Sequence, residues 1–77
     1  MQSVLLIGDL ASQTGLSIHT LNYYMRLGLI SEVTRADRSG YRLFDERTVQ
    51  TLVRIIDLRR RQIPIKEILA RKKDGIL

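Results

Sequence analysis

The sequence predicts a mainly helical fold, with four helices and one small β-hairpin in the middle of the chain. Three observations lead to this prediction. Apolar residues recur with helical spacing before Gly28 and again after Asp45, the segment between them loses that spacing, and glycine or proline separates the helical stretches. The chain has 77 residues and no cysteine, so we expect one small domain stabilised by an aliphatic core.

The first helix is expected over residues 7–13. Its apolar positions follow the i, i+3, i+4 spacing of one helix face: Ile7, Leu10 and Ala11. Gly15 then ends the helix. Residues 1–5 are interpreted as an N-terminal extension that precedes the folded unit, which is expected over residues 6–70.

A second helix is expected from the N-cap residue Ser17 to about Leu27, and Gly28 ends it. Its inward face has the same helical spacing: Leu21, Tyr24 and Met25. Two helices joined by a few residues around a glycine form a helix-turn-helix pattern. A helical hairpin in any small bundle would share this pattern, so it does not by itself define a function.

Residues 30–44 are expected to form a β-hairpin. Val33 and Thr34 lie on one arm, the polar turn ADRSG follows, and residues 41–44 form the other arm. Strict alternation leaves an apolar residue on each face of the second arm, so either face could be the buried one. The hairpin has the basic character of a wing because it carries three arginines: Arg35, Arg38 and Arg42.

Asp45 is expected to cap a third helix, with Glu46 in the first turn and residues 59–61, all arginines, in the last turn. Its inward stripe is predicted to be Val49, Leu52, Val53, Ile56 and Arg59. Pro64 suits the first position of a fourth helix. The inward residues of that helix are predicted to be Ile65, Ile68 and Leu69, and residues 71–77 are interpreted as a basic tail or the start of a linker.

The positive charge lies in the later part of the chain. Lys and Arg number 13 against 8 Asp and Glu, the formal net charge is +5, and no cation precedes Arg26. In a small domain this surplus favours a polyanionic partner. The sequence has no membrane span and no signal peptide, so we expect a cytoplasmic protein without a membrane partner.

The sequence offers little to assemble into a catalytic centre. It has one histidine, no cysteine, no glycine-rich phosphate loop and no converging pair of carboxylates. We therefore expect no enzyme, no cofactor and no metal site.

The second helix carries neutral hydrogen-bonding groups, which suit the edges of DNA bases. The predicted base contacts are Ser17, His19, Thr20, Asn22 and Tyr23. The amide of Asn22 can bond adenine N6 and N7 together, although the residue could also face solvent. Adjacent helix positions are about 100° apart, so Tyr24 is expected to point inward and Tyr23 toward DNA. The alternative is that both rings cover the core.

Arginines around that helix are interpreted as contacts to phosphates rather than as readers of sequence. The predicted phosphate contacts are Arg26, Arg35, Arg38, Arg42, Arg60 and Arg61. For each of them the alternative is an exposed cation in solvent. The arginines that end the third helix also complement its dipole.

Four separated stretches, IGDLASQTGLS, TLNYYMRLGLI, GYRLF and IPIKEI, closely resemble the N-terminal winged-helix DNA-binding domain of the MerR family of bacterial transcription regulators. The resemblance implies a winged helix-turn-helix fold. It also implies that the helix from Ser17 enters the major groove, and that the hairpin and the turn before the fourth helix are two wings. The chain departs from the family pattern at four positions: Asn22 for the usual Arg, Met25 for Glu, Ser31 for Pro and Gln62 for Gly.

The resemblance implies sequence-specific binding of double-stranded DNA in transcription regulation, with RNA polymerase at a promoter as a possible further partner. Family members usually continue into a dimerising helix and an effector domain. This chain is therefore expected to be a DNA-binding module, and a homodimer only if a longer form supplies that helix. Two alternatives on the same fold stay open: a protein-interaction adaptor, which needs no basic wing, and an excisionase-like architectural factor, which would bend many sites.

Overall fold

A computed structural model of the chain describes residues 4–77. Its elements, in chain order, are α1 Ile7–Thr14, α2 Ile18–Leu27, β1 Thr34–Arg35, β2 Arg42–Leu43, α3 Glu46–Arg60 and α4 Ile65–Lys73. The two strands pair antiparallel. The expected four helices and one hairpin are thereby confirmed. Among the described residues, no helix has the length and apolarity needed to cross a membrane.

One apolar core holds these elements together. The helix α1 packs against both α2 and α3, and α3 packs against α4. The core side chains come from all four helices and from both ends of the hairpin: Leu5, Leu10, Leu21, Tyr24, Leu29, Ile30, Phe44, Leu52, Ile55 and Ile68. Because the segments on either side of the hairpin reach this core, the wing is anchored at its base while its tip stays exposed.

Leu5 fastens the start of the chain to the end of the hairpin. The Leu5 N–H donates to the Phe44 carbonyl oxygen at 2.9 Å, and the Phe44 N–H donates back at 2.8 Å. Both side chains are buried. The sequence placed Leu5 in an extension, because pairing by a single residue leaves no periodic pattern to detect. The packed unit includes this residue.

The face that α3 turns to the core matches its predicted stripe in part, because Leu52 is buried and Val49 packs against the core. Its buried residues are Thr48, Leu52 and Ile55, whereas Val53 is 55% exposed and Arg59 is exposed. The prediction was wrong for Val53 and Arg59. The apolar pairs at 52–53 and 55–56 fit two overlapping helical stripes, and contacts with α1 and α4 select between them.

The helix α4 begins one residue later than expected. Pro64 lies at its N-cap, before the first helical residue Ile65, rather than at the first helical position. Ile68 is buried in the core, and Ile65 and Leu69 are half-buried against it. The predicted inward face of this helix is therefore confirmed.

A left-handed residue follows each of the four helices. In chain order these residues are Gly15 with φ 77°, Gly28 with φ 80°, Gln62 with φ 64° and Gly75 with φ 75°. At the end of α3 the chain turns back so that the Ile63 N–H donates to the Leu58 carbonyl oxygen at 3.0 Å. Gln62 is the one residue other than glycine with a positive φ in residues 4–77. It also stands where the family resemblance leads one to expect glycine.

Replacing Gln62 with glycine should stabilise the domain by about 1 kcal/mol. A side chain in the left-handed region costs roughly 1–2 kcal/mol, and the extra freedom of glycine in the unfolded chain offsets part of that gain. Urea unfolding of the two proteins measures the difference. Gln50→Gly, at an exposed position inside α3, is the control and should destabilise by about 1 kcal/mol. An unchanged or lower unfolding midpoint for Gln62→Gly would contradict the proposed strain.

Candidate nucleic-acid interface

The helix α2 presents a polar face to solvent because its opposite face is fixed in the core. Leu21 and Tyr24 are its buried residues. With about 100° between successive positions, the residues on the far side of the helix face outward. These residues are His19, Asn22, Tyr23 and Arg26. Three of the predicted base contacts therefore share one outer face with one predicted phosphate contact.

The two adjacent tyrosines divide between core and surface, as the sequence predicted. Tyr24 is 7% exposed and Tyr23 is 41% exposed. Their ring centroids lie 6.0 Å apart. The guanidinium carbon of Arg26 lies 5.9 Å from the centroid of the Tyr23 ring, which is within the range of a cation–π contact. The outer ring is thus in contact with a neighbour on each side.

Ser17 caps α2, as predicted, and engages a second predicted base contact in doing so. Its Oγ accepts a hydrogen bond from the Thr20 backbone N–H at 3.0 Å. The same hydroxyl donates to Thr20 Oγ1, also at 3.0 Å. A base contact by either hydroxyl must share that group with the cap. The described hydrogen bonds include none made by the side chains of the other three predicted base contacts, His19, Asn22 and Tyr23.

The hairpin places two arginines directly opposite each other, because Arg35 pairs with Arg42 across the strands. Like charges in this position destabilise a sheet. Glu32 offsets the repulsion: one carboxylate oxygen lies 3.0 Å from Arg35 Nε and the other 3.8 Å from Arg42 Nε. A backbone hydrogen bond and the bond from Arg35 hold the pKa of Glu32 below its usual value. Sequence reasoning missed Glu32, whose one signal was its spacing of three residues from Arg35.

A groove of about 310 Å³ joins α2 to the wing. Its polar lining includes Asn22, Arg26, Arg35 and Arg42. The structure therefore brings one predicted base contact together with three predicted phosphate contacts. All three arginines are exposed at the mouth of this groove.

A second groove, of about 520 Å³, lies between α2, the start of α1 and the wing, and it shares Asn22 and Arg42 with the first. Its exposed apolar lining is Leu6, Ile18 and Tyr41. Asn22 therefore stands between a cationic groove and a largely apolar one. Sequence reasoning had assigned no role to these three apolar residues.

The remaining predicted phosphate contacts lie apart from the two grooves. Arg38 is exposed in the turn at the hairpin tip and makes no ion pair among residues 4–77. Arg61 Nε lies 3.3 Å from Asp57 Oδ2 within α3. Arg60 lines a different groove, which α1 and α3 form together with the end of the chain. The structure thus groups Arg60 and Arg61 with α3 rather than with the outer face of α2.

Asp45 caps α3, as predicted, and pairs with a cation in the first turn. Its Oδ1 accepts from the Arg47 backbone N–H at 2.9 Å, and its Oδ2 lies 2.9 Å from a guanidinium nitrogen of Arg47. The Arg47 side chain, more than any other neighbour, holds the pKa of Asp45 below its usual value. This pair fixes the point at which the hairpin passes into α3.

Lys72 ties α4 to the chain as it leaves α2. Its Nζ donates to the carbonyl oxygens of Gly28 at 2.8 Å and Leu29 at 2.7 Å. A cation at the C-terminal end of a helix also suits the helix dipole. Sequence reasoning missed this contact because Lys72 is 44 positions from Gly28 and 43 positions from Leu29 along the chain.

Comparison with known proteins identifies the class to which this geometry belongs. The family model for the MerR HTH family of regulatory proteins matches residues 5–71. The chain belongs to this family. Membership of a family of regulatory proteins confirms that the chain is not an enzyme. Among residues 4–77, no group of three or more His, Cys, Asp or Glu side chains is placed to hold a metal ion.

Individual relatives match the chain along part of their own length. Transcriptional regulator BrlR of Pseudomonas aeruginosa is 35% identical over 74 residues, which are 96% of this chain and 27% of BrlR. The mercuric resistance operon regulatory protein of Bacillus cereus is 46% identical over 46 residues, 60% of this chain and 34% of that protein. The chain thus spans about a third of these relatives or less.

A solved structure is similar over nearly all of the chain. It is the crystal structure of HiNmlR, a MerR family regulator lacking the sensor domain, bound to promoter DNA. The TM-score is 0.84 at 27% sequence identity, and the match covers 96% of this chain and 55% of the HiNmlR chain. This similarity confirms the helix-turn-helix fold.

Replacing Lys72 with methionine should destabilise the domain by about 1–2 kcal/mol, because two carbonyl groups lose a charged hydrogen-bond donor while the apolar stem is kept. Urea unfolding gives the difference. Lys73→Met, at the exposed neighbouring position, is the matched control and should change stability by less than about 0.5 kcal/mol. Equal midpoints for the two variants would show that the bonds from Lys72 contribute nothing.

Proposed function

We propose that this chain binds double-stranded DNA with sequence specificity, as the DNA-binding module of a transcription regulator. The observation that carries the proposal is the meeting of α2 and the wing: Asn22 and Arg42 line both grooves between them. A polar helix face and a cationic hairpin are thereby side by side. The similarity to HiNmlR, which was solved with promoter DNA, supports this reading.

The helix α2 is the element proposed to enter the major groove. A helix with side chains is about 10–12 Å wide, and the major groove is about 12 Å wide. His19, Asn22 and Tyr23 would then face base edges, with Asn22 bonding adenine N6 and N7. Ser17 and Thr20, at the N-terminal end of α2, would add contacts while keeping the cap.

The arginines of the first groove are proposed to hold the phosphates that border the major groove. Each guanidinium has five N–H donors, so the hydrogen bond of Arg35 and the ion pair of Arg42 with Glu32 leave further donors for a phosphate. Arg26, on α2, would reach the same strand from the other side of the groove. Arg38 at the hairpin tip, with Arg60 and Arg61 at the end of α3, would extend the contacts along the duplex.

The proposal carries expectations about partners. DNA-binding modules of this kind gain affinity by binding two half-sites as dimers. Residues 1–77 alone should therefore bind weakly, and a homodimer is expected only where a longer form supplies a dimerising helix. We further propose that the protein acts in the cytoplasm, at a promoter where RNA polymerase is a second partner.

Selection of binding sites from random duplex DNA, run at two salt concentrations, tests the proposed function. We expect enrichment of one short motif and an affinity that falls steeply with salt. An architectural factor would instead enrich no motif and bend many sequences. An adaptor would not bind duplex DNA. The absence of association with any duplex at low ionic strength would overturn the proposal.

Asn22→Ala should relax the preference at about one base pair of the selected motif. A bidentate contact between amide and adenine discriminates by about 1–3 kcal/mol, which is roughly a five- to 150-fold preference. A second round of site selection with the variant measures the change. An identical motif from the variant and the parent would show that Asn22 does not read a base.

Arg38→Gln should make the negative slope of log affinity against log salt concentration shallower by about 0.9, because one phosphate contact is lost. The motif itself should not change, since phosphate contacts carry no sequence information directly. Fluorescence anisotropy titrations at several salt concentrations provide the slope. Lys73→Gln, at an exposed position at the end of α4 that lines neither groove beside α2, is the control of equal charge change and should leave the slope unaltered.

A further inference from the structure

Ile18 is an apolar residue at the start of α2 that is not part of the core. It is the first residue of the helix and is 48% exposed. It lines the second groove, where the other exposed apolar residues are Leu6 and Tyr41. The helix that carries the neutral polar face therefore also carries one large apolar group, at its first residue.

The surface that this side chain would meet in DNA is almost entirely polar. In the major groove, base edges present hydrogen-bond donors and acceptors, and the one apolar group among them is the C5 methyl of thymine. An isoleucine desolvated against any other base edge would deprive that edge of hydrogen bonds. Among the four bases, thymine therefore offers the largest apolar surface to a branched aliphatic side chain in this position.

The placement of Ile18 relative to Asn22 is specific. The two residues are one helical turn apart at i and i+4, where Cβ atoms lie about 5–6 Å from each other. Both line the second groove. An A·T pair presents the adenine N6 and N7 and the thymine methyl on the same groove edge. The two side chains are thus spaced to contact one A·T pair, or two adjacent pairs, together.

We propose that Ile18 is a specificity-determining residue that contacts the C5 methyl group of a thymine within one base pair of the base that Asn22 contacts. The proposal rests on the proposed function. It adds a defined element to the operator half-site: a thymine whose methyl group, rather than its hydrogen-bonding atoms, is recognised through Ile18.

Scanning of the selected site with deoxyuridine tests this inference. Each thymine is replaced in turn by deoxyuridine, which keeps every hydrogen-bonding atom and removes the methyl group alone. Burial of one methyl group predicts that one substitution weakens binding of the parent protein by about three- to fivefold. In Ile18→Ala the same substitution should change affinity by less than about 1.5-fold, and Ile18→Val should fall between the two.

Val53→Ala is the matched control, because Val53 is an apolar residue of similar exposure, 55% against 48% for Ile18, and lines a groove away from α2. This variant should keep the full deoxyuridine penalty. Circular dichroism melts establish that each variant is folded at the temperature of the titrations.

The outcomes separate the inference from the proposed function. If site selection enriches a motif but no thymine shows a penalty that depends on Ile18, the role of Ile18 is overturned and the proposed function stands. A penalty that persists in Ile18→Ala assigns the methyl contact to another residue and also overturns the inference. A uniform loss of affinity in Ile18→Ala, independent of the methyl groups, indicates contact with deoxyribose and likewise contradicts it. Failure to bind any duplex overturns both.

Discussion

The burial of Leu21 and Tyr24 is the constraint on which the rest of this structure depends. These two side chains set the rotation of α2 about its own axis. Once one face of a helix is fixed in the core, the residues on the opposite face must point to solvent. The polar outer face, the placement of Ile18 and the approach of Asn22 to the wing all follow from that rotation. A domain this small has little surplus stability. A substitution in the core that rotates or unfolds α2 would therefore also displace the side chains on its outer face.

The distribution of charge between α2 and the hairpin matters more than the net charge of the domain. The outer face of α2 is neutral until its last turn, whereas the hairpin opposes Arg35 to Arg42 and needs the carboxylate of Glu32 between them. This carboxylate lowers the net charge of the wing and in return orients the guanidinium group of Arg35 through a hydrogen bond of 3.0 Å. Held side chains lose less conformational entropy on binding than free ones.

The sequence was sufficient for features that depend on local periodicity and capping. The four helices, the hairpin, the caps at Ser17 and Asp45 and the outward Tyr23 were all predictable in this way. The face of α3 was not, because two apolar stripes overlap and packing against other helices chooses between them. The contacts made by Lys72 and the pairing of Leu5 with Phe44 join distant parts of the chain, so no short window of sequence contains them.

The contact from Lys72 connects two helices of the domain that are far apart in sequence. One ammonium group joins the last turn of α4 to the backbone just beyond α2. Ile68, one helical turn earlier in α4, is fully buried in the shared core. The position of α4 relative to the end of α2 is therefore defined twice, once by apolar packing and once by a charged hydrogen-bond donor.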